Sequence, residues 1–508
     1  MKREIKLASI LGYVEMFIAI AVAFIYTPFM LDKMGQSEYG LYSLVVSLVA
    51  YLSVLDMGFG NAMVRYVSKS QAQTNKEKEN KINSLFLIVY TLIGAVALII
   101  GIALYFNIEN VFSQNLTAVE INKAKIIMII LVATVALNFP LSVFTSYVTA
   151  SEKFIFLKII TILKDISIPI IMIPLLLNGY KSITMALINN GFIIIVQIIT
   201  LIYCLKKLKM KFNFHIGKEE KSLLKEIAGY SFFIFLNIIV DALYNNTDSI
   251  ILGSVSGTVA VAVYAVAVKI TQINTKFSTN ISGLFLPSIT KTLEEKNGEE
   301  KVSKLFNRIS RIQLYIMMLI LSAFFIVGKI FINLWAGPEY IDAYYIILLL
   351  IAPAIIPLTQ NIGISILQAK NRHQFRSIMY IFIAILNVLI SIPLAKSFGG
   401  IGAAIGTAIG NLLGQIIIMN IYYYKVIHID IIEYWKNFIR FSLPVIIVSI
   451  LGFLLNNKIN IMSWKIFIIE GIIYFVTYFI YVYIYMNEDE KNFVKKILNK
   501  VKPNKKVA

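Results

Sequence analysis

The chain has 508 residues, of which 58% are hydrophobic and 15% charged, with a formal net charge of +19. Its mean hydropathy is +0.77, which excludes a soluble globule and predicts an all-α polytopic membrane protein. One cysteine, Cys204, excludes a disulfide framework or a thiolate metal cluster. His215, His373 and His428 fall in or beside hydrophilic loops, so no metal site is expected.

Fourteen apolar stretches are long enough to span a bilayer as helices, which takes roughly 20 residues each. In chain order they cover 8–31, 39–64, 82–106, 124–150, 156–177, 181–205, 227–252, 258–286, 312–336, 340–368, 377–396, 400–424, 441–457 and 464–486. The thirteenth is short. The first follows Met1, Lys2 and Arg3 but has neither the short core nor the small-residue cleavage site of a signal peptide, so it reads as a retained helix. No loop is large enough to hold a soluble domain.

Basic residues gather in alternate loops. Arg65, Lys69, Lys76, Lys78 and Lys81 follow the second span, Lys206 to Lys225 the sixth, Lys291 to Arg311 the eighth, and Lys370, Arg372 and Arg376 the tenth. A further group, Lys495 to Lys506, lies in the C-terminal tail. Cytoplasmic loops carry the Lys/Arg excess, so both termini are expected on the cytoplasmic side of the membrane. The positive charge is then an orientation signal and an attraction to anionic lipid, not a nucleic-acid surface.

Residues also recur at a nearly constant offset. Gly35 and Gly257 are 222 apart, each seven before Tyr42 or Tyr264; Pro140 and Pro357 are 217 apart, Ala150 and Ala369 219, Phe156 and Phe375 219, Pro169 and Pro393 224, and Gln197 and Gln415 218. Spans one to six therefore read as repeated in spans seven to twelve, with two appended. This predicts an N-terminal six-helix lobe over 1–225, a second over 226–440, and two extra helices with a basic tail over 441–508. Because six is even, the lobes are parallel repeats about an axis along the membrane normal. Two such lobes facing a central cleft can alternate access between the two faces, which makes transport the leading hypothesis.

Charge inside a span costs about 2.5 to 3.5 kcal/mol on insertion scales, so retained charges need a partner, water or a task. Span seven carries Asn237, Asp241, Asn245 and Asp248 on one helix face; span eight carries Lys269, Gln272, Lys276 and Asn280 on another. Both stripes are expected to line the cleft. Lys269 is the leading candidate to bind an anionic group, and the plainer alternative is that it pairs with Asp241. The N-terminal half contributes Glu15, Asp56, Lys164 with Asp165, and a milder stripe of Thr134, Asn138, Ser142, Thr145 and Thr149. Carboxylates in a cavity can couple transport to H⁺ or Na⁺, while Glu15 and Asp56 serve equally well as local braces. Pro169, Pro174, Pro353 and Pro357 predict kinks. Gly402, Gly406, Gly410 and Gly414 form an every-fourth-residue row, a helix-packing face that holds a lobe together or makes a dimer.

From the end of span one the chain reads Gly35-Gln-Ser-Glu-Tyr39-Gly40-Leu-Tyr42, then Leu55-Asp56-Met-Gly58-Phe-Gly60-Asn61-Ala62, then Arg65-Tyr66, and span seven ends in Asp248-Ser-Ile-Ile-Leu-Gly253. These stretches and the overall repeat resemble the Wzx-type polysaccharide flippases, in the superfamily that also holds the multidrug and toxic-compound exporters (MATE) and the lipid II flippases. The resemblance implies a MATE-like fold and translocation of undecaprenyl-diphosphate-linked oligosaccharide from the inner to the outer leaflet, with polysaccharide-assembly proteins as partners. A diphosphate crossing a low-dielectric core is stabilised by cations. Where family members typically show several lumenal Arg residues, Lys269, Lys276 and Lys164 stand here, keeping the charge without bidentate geometry. Asp56 and Arg65, carried over from the motif, are candidates for a gate or brace.

A cation-coupled multidrug exporter shares the lobed repeat and is the main alternative. A membrane polysaccharide polymerase would present a large outer loop with catalytic residues, which is lacking, so no enzyme is expected. A primary pump is disfavoured because no Gly-x4-Gly-Lys-Ser/Thr loop occurs.

Overall fold

The computed structural model describes residues 2–215, 217–282, 285–370, 372–459, 463–488 and 490–492. Helices account for nearly all of them: α1 Lys2–Met34, α2 Gln36–Ala50, α3 Phe59–Ala72, α4 Lys76–Phe112, α5 Ala118–Ala150, α6 Phe154–Leu177, α7 Ser182–Lys206, α8 Lys218–Val255 and α9 Gly257–Ser282. Then come α10 Leu286–Leu293, α11 Gly298–Trp335, α12 Asp342–Thr359, α13 Ile362–Ala369, α14 His373–Asn411, α15 Met419–Tyr422, α16 Ile431–Ile459 and α17 Trp464–Tyr485. The all-α polytopic class is as expected, with no strand among the described residues.

Local chemistry sets several helix starts. Asn75 caps α4 by accepting from the Lys78 N–H at 3.0 Å, and Thr117 with Glu120 forms a reciprocal capping box at the start of α5. At 37 residues, α4 is about 55 Å long at 1.5 Å per residue, beyond the roughly 30 Å hydrocarbon core, so its ends reach the headgroups. Ile25 is 74% exposed and Phe106 71%. Such side chains are stable facing lipid.

Twelve helical segments among the described residues are long and apolar enough to cross a membrane. The difference from fourteen arises in two places. The stretch Gln374–Ile427 runs unbroken for 54 residues although Gly399, at φ 57° and ψ −136°, turns the chain within it. The second place is α8, the expected seventh span, many of whose side chains lie outside the described residues.

Two expected spans are interrupted. Span two is a helix to Ala50, a tight 3₁₀ run over Tyr51–Asp56, and a new helix from Phe59. Met57 and Gly58 are both left-handed, at φ 50° and 76°, so an α-helix cannot continue through them. Span ten stops at Thr359 and restarts at Ile362, just after Pro357. The thirteenth span, read as short, is the 29-residue α16.

By internal contacts the chain forms two compact units, Met1–Lys269 with Gln374–Gly410 and Ile270–His373 with Asn411–Ala508. This partition differs from the six, six and two helices of the repeat: α8 packs along α2, α3 and α4. Within the first unit, Gly253 approaches Leu44 so closely that a Cβ would lie 2.5 Å from its side chain. In the second, α11 packs on α12, α16 and α17.

The repeat leaves a backbone signature. Gly35 and Gly257, paired by the 222-residue offset, have φ of 79° and 81°; Gly35 stands immediately before α2 and Gly257 is the first residue of α9. Only glycine adopts this geometry without strain.

Candidate functional site

The break in span two explains Asp56. One carboxylate oxygen accepts from the Gly58 N–H at 3.2 Å, holding the first turn of α3, and the other accepts from the Tyr90 hydroxyl at 2.7 Å, tying the break to α4. Asp56 thus bonds both to the start of α3 and to α4. Arg65, on α3, is exposed and lies 5.9 Å from the Tyr66 ring centre.

The other N-terminal candidates have close partners. Glu15 on α1 accepts from Lys158 on α6 at 2.7 Å, and Lys164 pairs with its neighbour Asp165 at 3.3 Å. Lys158 carries no signal in the sequence because it stands near a span end, where a lysine is ordinary.

Lys269 and Asp241 do not pair. The Lys269 ammonium donates to the hydroxyl of Thr27, on α1, at 2.7 Å, and no ion pair to Lys269 occurs among the described residues. Thr27 is fully buried and uncharged, so no opposite charge pairs with the lysine among the described residues. Asp241 is exposed and instead lies in the field of Arg376 on α14; that guanidinium stacks 4.3 Å from the centre of Tyr380. Gln272 and Lys276 are exposed on α9. Asn280 and Asn237 lie in α9 and α8, and their side chains fall outside the described residues.

Asp248 is the most enclosed of the candidate charges, 3% exposed. Its Oδ2 accepts from the Tyr264 hydroxyl and, at 2.7 Å, from Thr407 on α14. Its Oδ1 has no hydrogen-bond partner among the described residues. The network extends through Asn387, whose amide donates to Thr407 at 3.2 Å, to Ser391, which donates to Asn387 Oδ1 at 2.8 Å. Oxygens from a carboxylate, an amide and three hydroxyls therefore meet in one buried cluster with no cationic side chain bonded to it among the described residues.

The glycine row builds this cluster. A Cβ at Gly402 would fall 2.0 Å from the Leu394 carbonyl oxygen and one at Gly406 2.1 Å from Ser391 Oγ. Lacking side chains, these positions let 402–410 lie against 383–395 after the turn at Gly399, and that approach brings Thr407 to Asn387. Gly410 and Gly414 are buried as well. Gly402 and Gly406 thus pack within one chain. Tyr264, Asn387, Ser391 and Thr407 were missed in the sequence because single hydroxyls and amides are common in membrane helices; the legible signal was the four-residue spacing of Asn387 and Ser391 in an apolar span.

The repeat offset maps the cluster onto the first six helices with one replacement. Asp248, Tyr264 and Thr407 correspond at offsets of 222, 222 and 218 to Tyr26, Tyr42 and Asn189. The Asn189 amide donates to the Tyr42 hydroxyl at 3.1 Å, parallel to the contact of Thr407 with its partners. Where Asp248 supplies a buried carboxylate, the corresponding position has a phenol, and the Tyr26 hydroxyl has no hydrogen-bond partner among the described residues.

At the starts of α2 and α9 the two copies touch. Ser37 donates to a Glu120 carboxylate oxygen at 2.7 Å, and Thr258 donates to the same oxygen at 2.7 Å. Glu38, one residue on, is held by Lys123 and Ser182.

Residues 7–293, more than half of the chain, match the family described as polysaccharide biosynthesis protein. The chain belongs to this family. The Wzx-type resemblance read from the motifs of this polysaccharide biosynthesis protein stands. Over 392 residues it is 25% identical to the "Putative O-antigen transporter" of Escherichia coli (strain K12), covering 74% of this chain and 87% of that one. Its fold is similar to that of the lipid II flippase MurJ in an inward closed conformation, with a TM-score of 0.71 at 16% identity over 94% of this chain and 98% of that one. An inward-facing MATE family multidrug resistance transporter gives a TM-score of 0.63 at 14% identity, over 84% and 98% of the two chains. The protein is a multi-pass membrane protein whose fold is shared with these two solved structures.

Proposed function

We propose that this protein flips undecaprenyl-diphosphate-linked oligosaccharide from the inner to the outer leaflet of the bacterial cytoplasmic membrane, by alternating access, during assembly of a surface polysaccharide. The observation that carries the reading is Lys269, a cation within an apolar helix whose described partner is a neutral hydroxyl. An uncompensated ammonium attracts an anion and repels the cationic compounds typical of drug efflux. Lys269 is read as the first contact for the diphosphate, with Lys276, Gln272 and Asn280 further along α9 and Lys164 serving the glycan-bearing headgroup; the prenyl tail stays in lipid. Membership of the polysaccharide family supports the cargo class, and the O-antigen relative supports a lipid-linked glycan.

Coupling is assigned to Asp248. A buried carboxylate with one unpartnered oxygen, surrounded by neutral oxygens, gains a proton or an Na⁺ ion at low cost and holds it out of water. Asp241 beside Arg376, with Glu15, Asp56 and Arg65, would hold or release the helix ends as access changes. The basic loops support a cytoplasmic position for both termini.

The test is transport in proteoliposomes with a fluorescent undecaprenyl-diphosphate oligosaccharide, run beside a cationic dye. The flippase reading requires transport of the first; dye transport alone supports the exporter reading.

A further inference from the structure

A cavity of about 340 Å³ lies in the second unit, lined by Arg311, Asn437, Arg440, Tyr481, Ile484, Tyr485 and Asn487. This volume lies within the ordinary range for small-molecule sites. None of these residues belongs to the transport candidates.

The cavity lies between α11, α16 and the C-terminal end of α17. Glu490 is 4% exposed and its Oε2 accepts from Arg311 at 2.9 Å, from Tyr315 at 3.2 Å and from the Asn487 N–H at 3.1 Å, fixing the segment after α17 against α11. The Tyr485 hydroxyl donates to the Asn437 carbonyl at 3.3 Å and that of Tyr481 to the Phe441 carbonyl at 3.0 Å, locking α17 to α16. The Tyr485 ring stands between two guanidiniums, 5.8 Å from Arg311 and 6.0 Å from Arg440.

The charges do not cancel. Glu490 compensates Arg311, while Arg440 has no ion pair among the described residues. Arg311 also keeps a buried Nε–H without a hydrogen-bond partner. A cavity walled by an unpaired guanidinium and an unused guanidinium N–H is built for an oxyanion, and phosphate matches the fork geometry of arginine.

Depth identifies which phosphate. Arg311 directly precedes the apolar run of 312–336, Arg440 precedes that of 441–457, and Asn487 directly follows that of 464–486. Three boundaries between polar and apolar chain therefore meet at one level, where lipid headgroups lie. Ile484, on the wall, is 72% exposed, and Ile480 one turn away is 56% exposed. The cavity thus continues onto an apolar, lipid-facing strip of α17. We propose that it binds the phosphate of an anionic phospholipid, with the acyl chains along α17, as a site separate from the transport route.

The test uses the purified full-length protein in neutral detergent, with retained phosphatidylglycerol and phosphatidylcholine measured by native mass spectrometry. The wild type is expected to retain phosphatidylglycerol preferentially. Arg440→Gln and Asn437→Asp, each checked for an unchanged melting temperature, are expected to lower that retention about tenfold, the scale of one charge-assisted hydrogen-bonded contact. Arg308→Gln, on the exposed face of α11, is expected to change nothing. Equal retention of both lipids, or full phosphatidylglycerol retention in both cavity variants, overturns the proposal. Displacement of the lipid by millimolar inorganic phosphate also overturns it, because the site would then be one for free phosphate.

Discussion

Gly40 on α2 meets the backbone of Thr258 on α9 so closely that a Cβ there would fall 1.8 Å from the Thr258 carbonyl oxygen. The two helices begin at repeat-related glycines, and their first turns share the Glu120 carboxylate through Ser37 and Thr258. This contact is a junction between the two copies of the repeat, made possible by an absent side chain.

If the junction opens during each cycle, joining it covalently stops transport. Ser37 and Thr258 hydroxyl oxygens are 3.4 Å apart, within reach of a disulfide. In a Cys204→Ser background, the pair Ser37→Cys and Thr258→Cys is expected to cross-link under oxidation, block flipping in proteoliposomes and recover on reduction. Full transport by the cross-linked protein would show that the junction stays closed throughout. Gly40→Ala is expected to lower stability by about 1 to 3 kcal/mol through overpacking, read as a reduced melting temperature in detergent.

Asp56 is expected to behave as a brace. Asp56→Ala strands the Tyr90 hydroxyl and frees the start of α3, costing about 1 to 3 kcal/mol of stability for the unsatisfied groups. Thermal unfolding should register this loss. Glycan-lipid binding, measured separately on folded protein, should be unchanged.

Asp248 is expected to carry the coupling. Asp248→Asn keeps the size of the side chain and its contact with Thr407 but removes the ionisable group. Downhill flipping should survive, whereas stimulation by an imposed pH or Na⁺ gradient should vanish. Persisting stimulation by both gradients would place coupling elsewhere. Which gradient drives the wild type distinguishes a proton from Na⁺.

The fold class was legible because it is written redundantly: many apolar residues make one span. The breaks were less legible. Met57 and Gly58 interrupt a helix by backbone conformation, which hydropathy does not register, and the return at Gly399 is hidden between two apolar runs. In the site, Asp248, Lys269 and the glycine row stood out, since charge and small size are conspicuous in an apolar helix. Their partners did not. Thr27 and Thr407 lie 242 and 159 residues from the charges they contact, and only tertiary packing selects them from many similar hydroxyls. The same packing shows Lys269 and Asp241 engaged with different neighbours, although their charges alone made a pair plausible.

The central claim is that the uncompensated charge of Lys269 receives the diphosphate, and it is tested most directly by flipping of undecaprenyl-diphosphate oligosaccharide in proteoliposomes containing wild type, Lys269→Gln or Lys269→Arg at equal folded density. Lys269→Gln retains a donor for Thr27 without the charge and is expected to reduce the initial rate by at least about tenfold, the equivalent of roughly 1.4 kcal/mol, while Lys269→Arg retains most of it. Wild-type rates in Lys269→Gln would contradict the account.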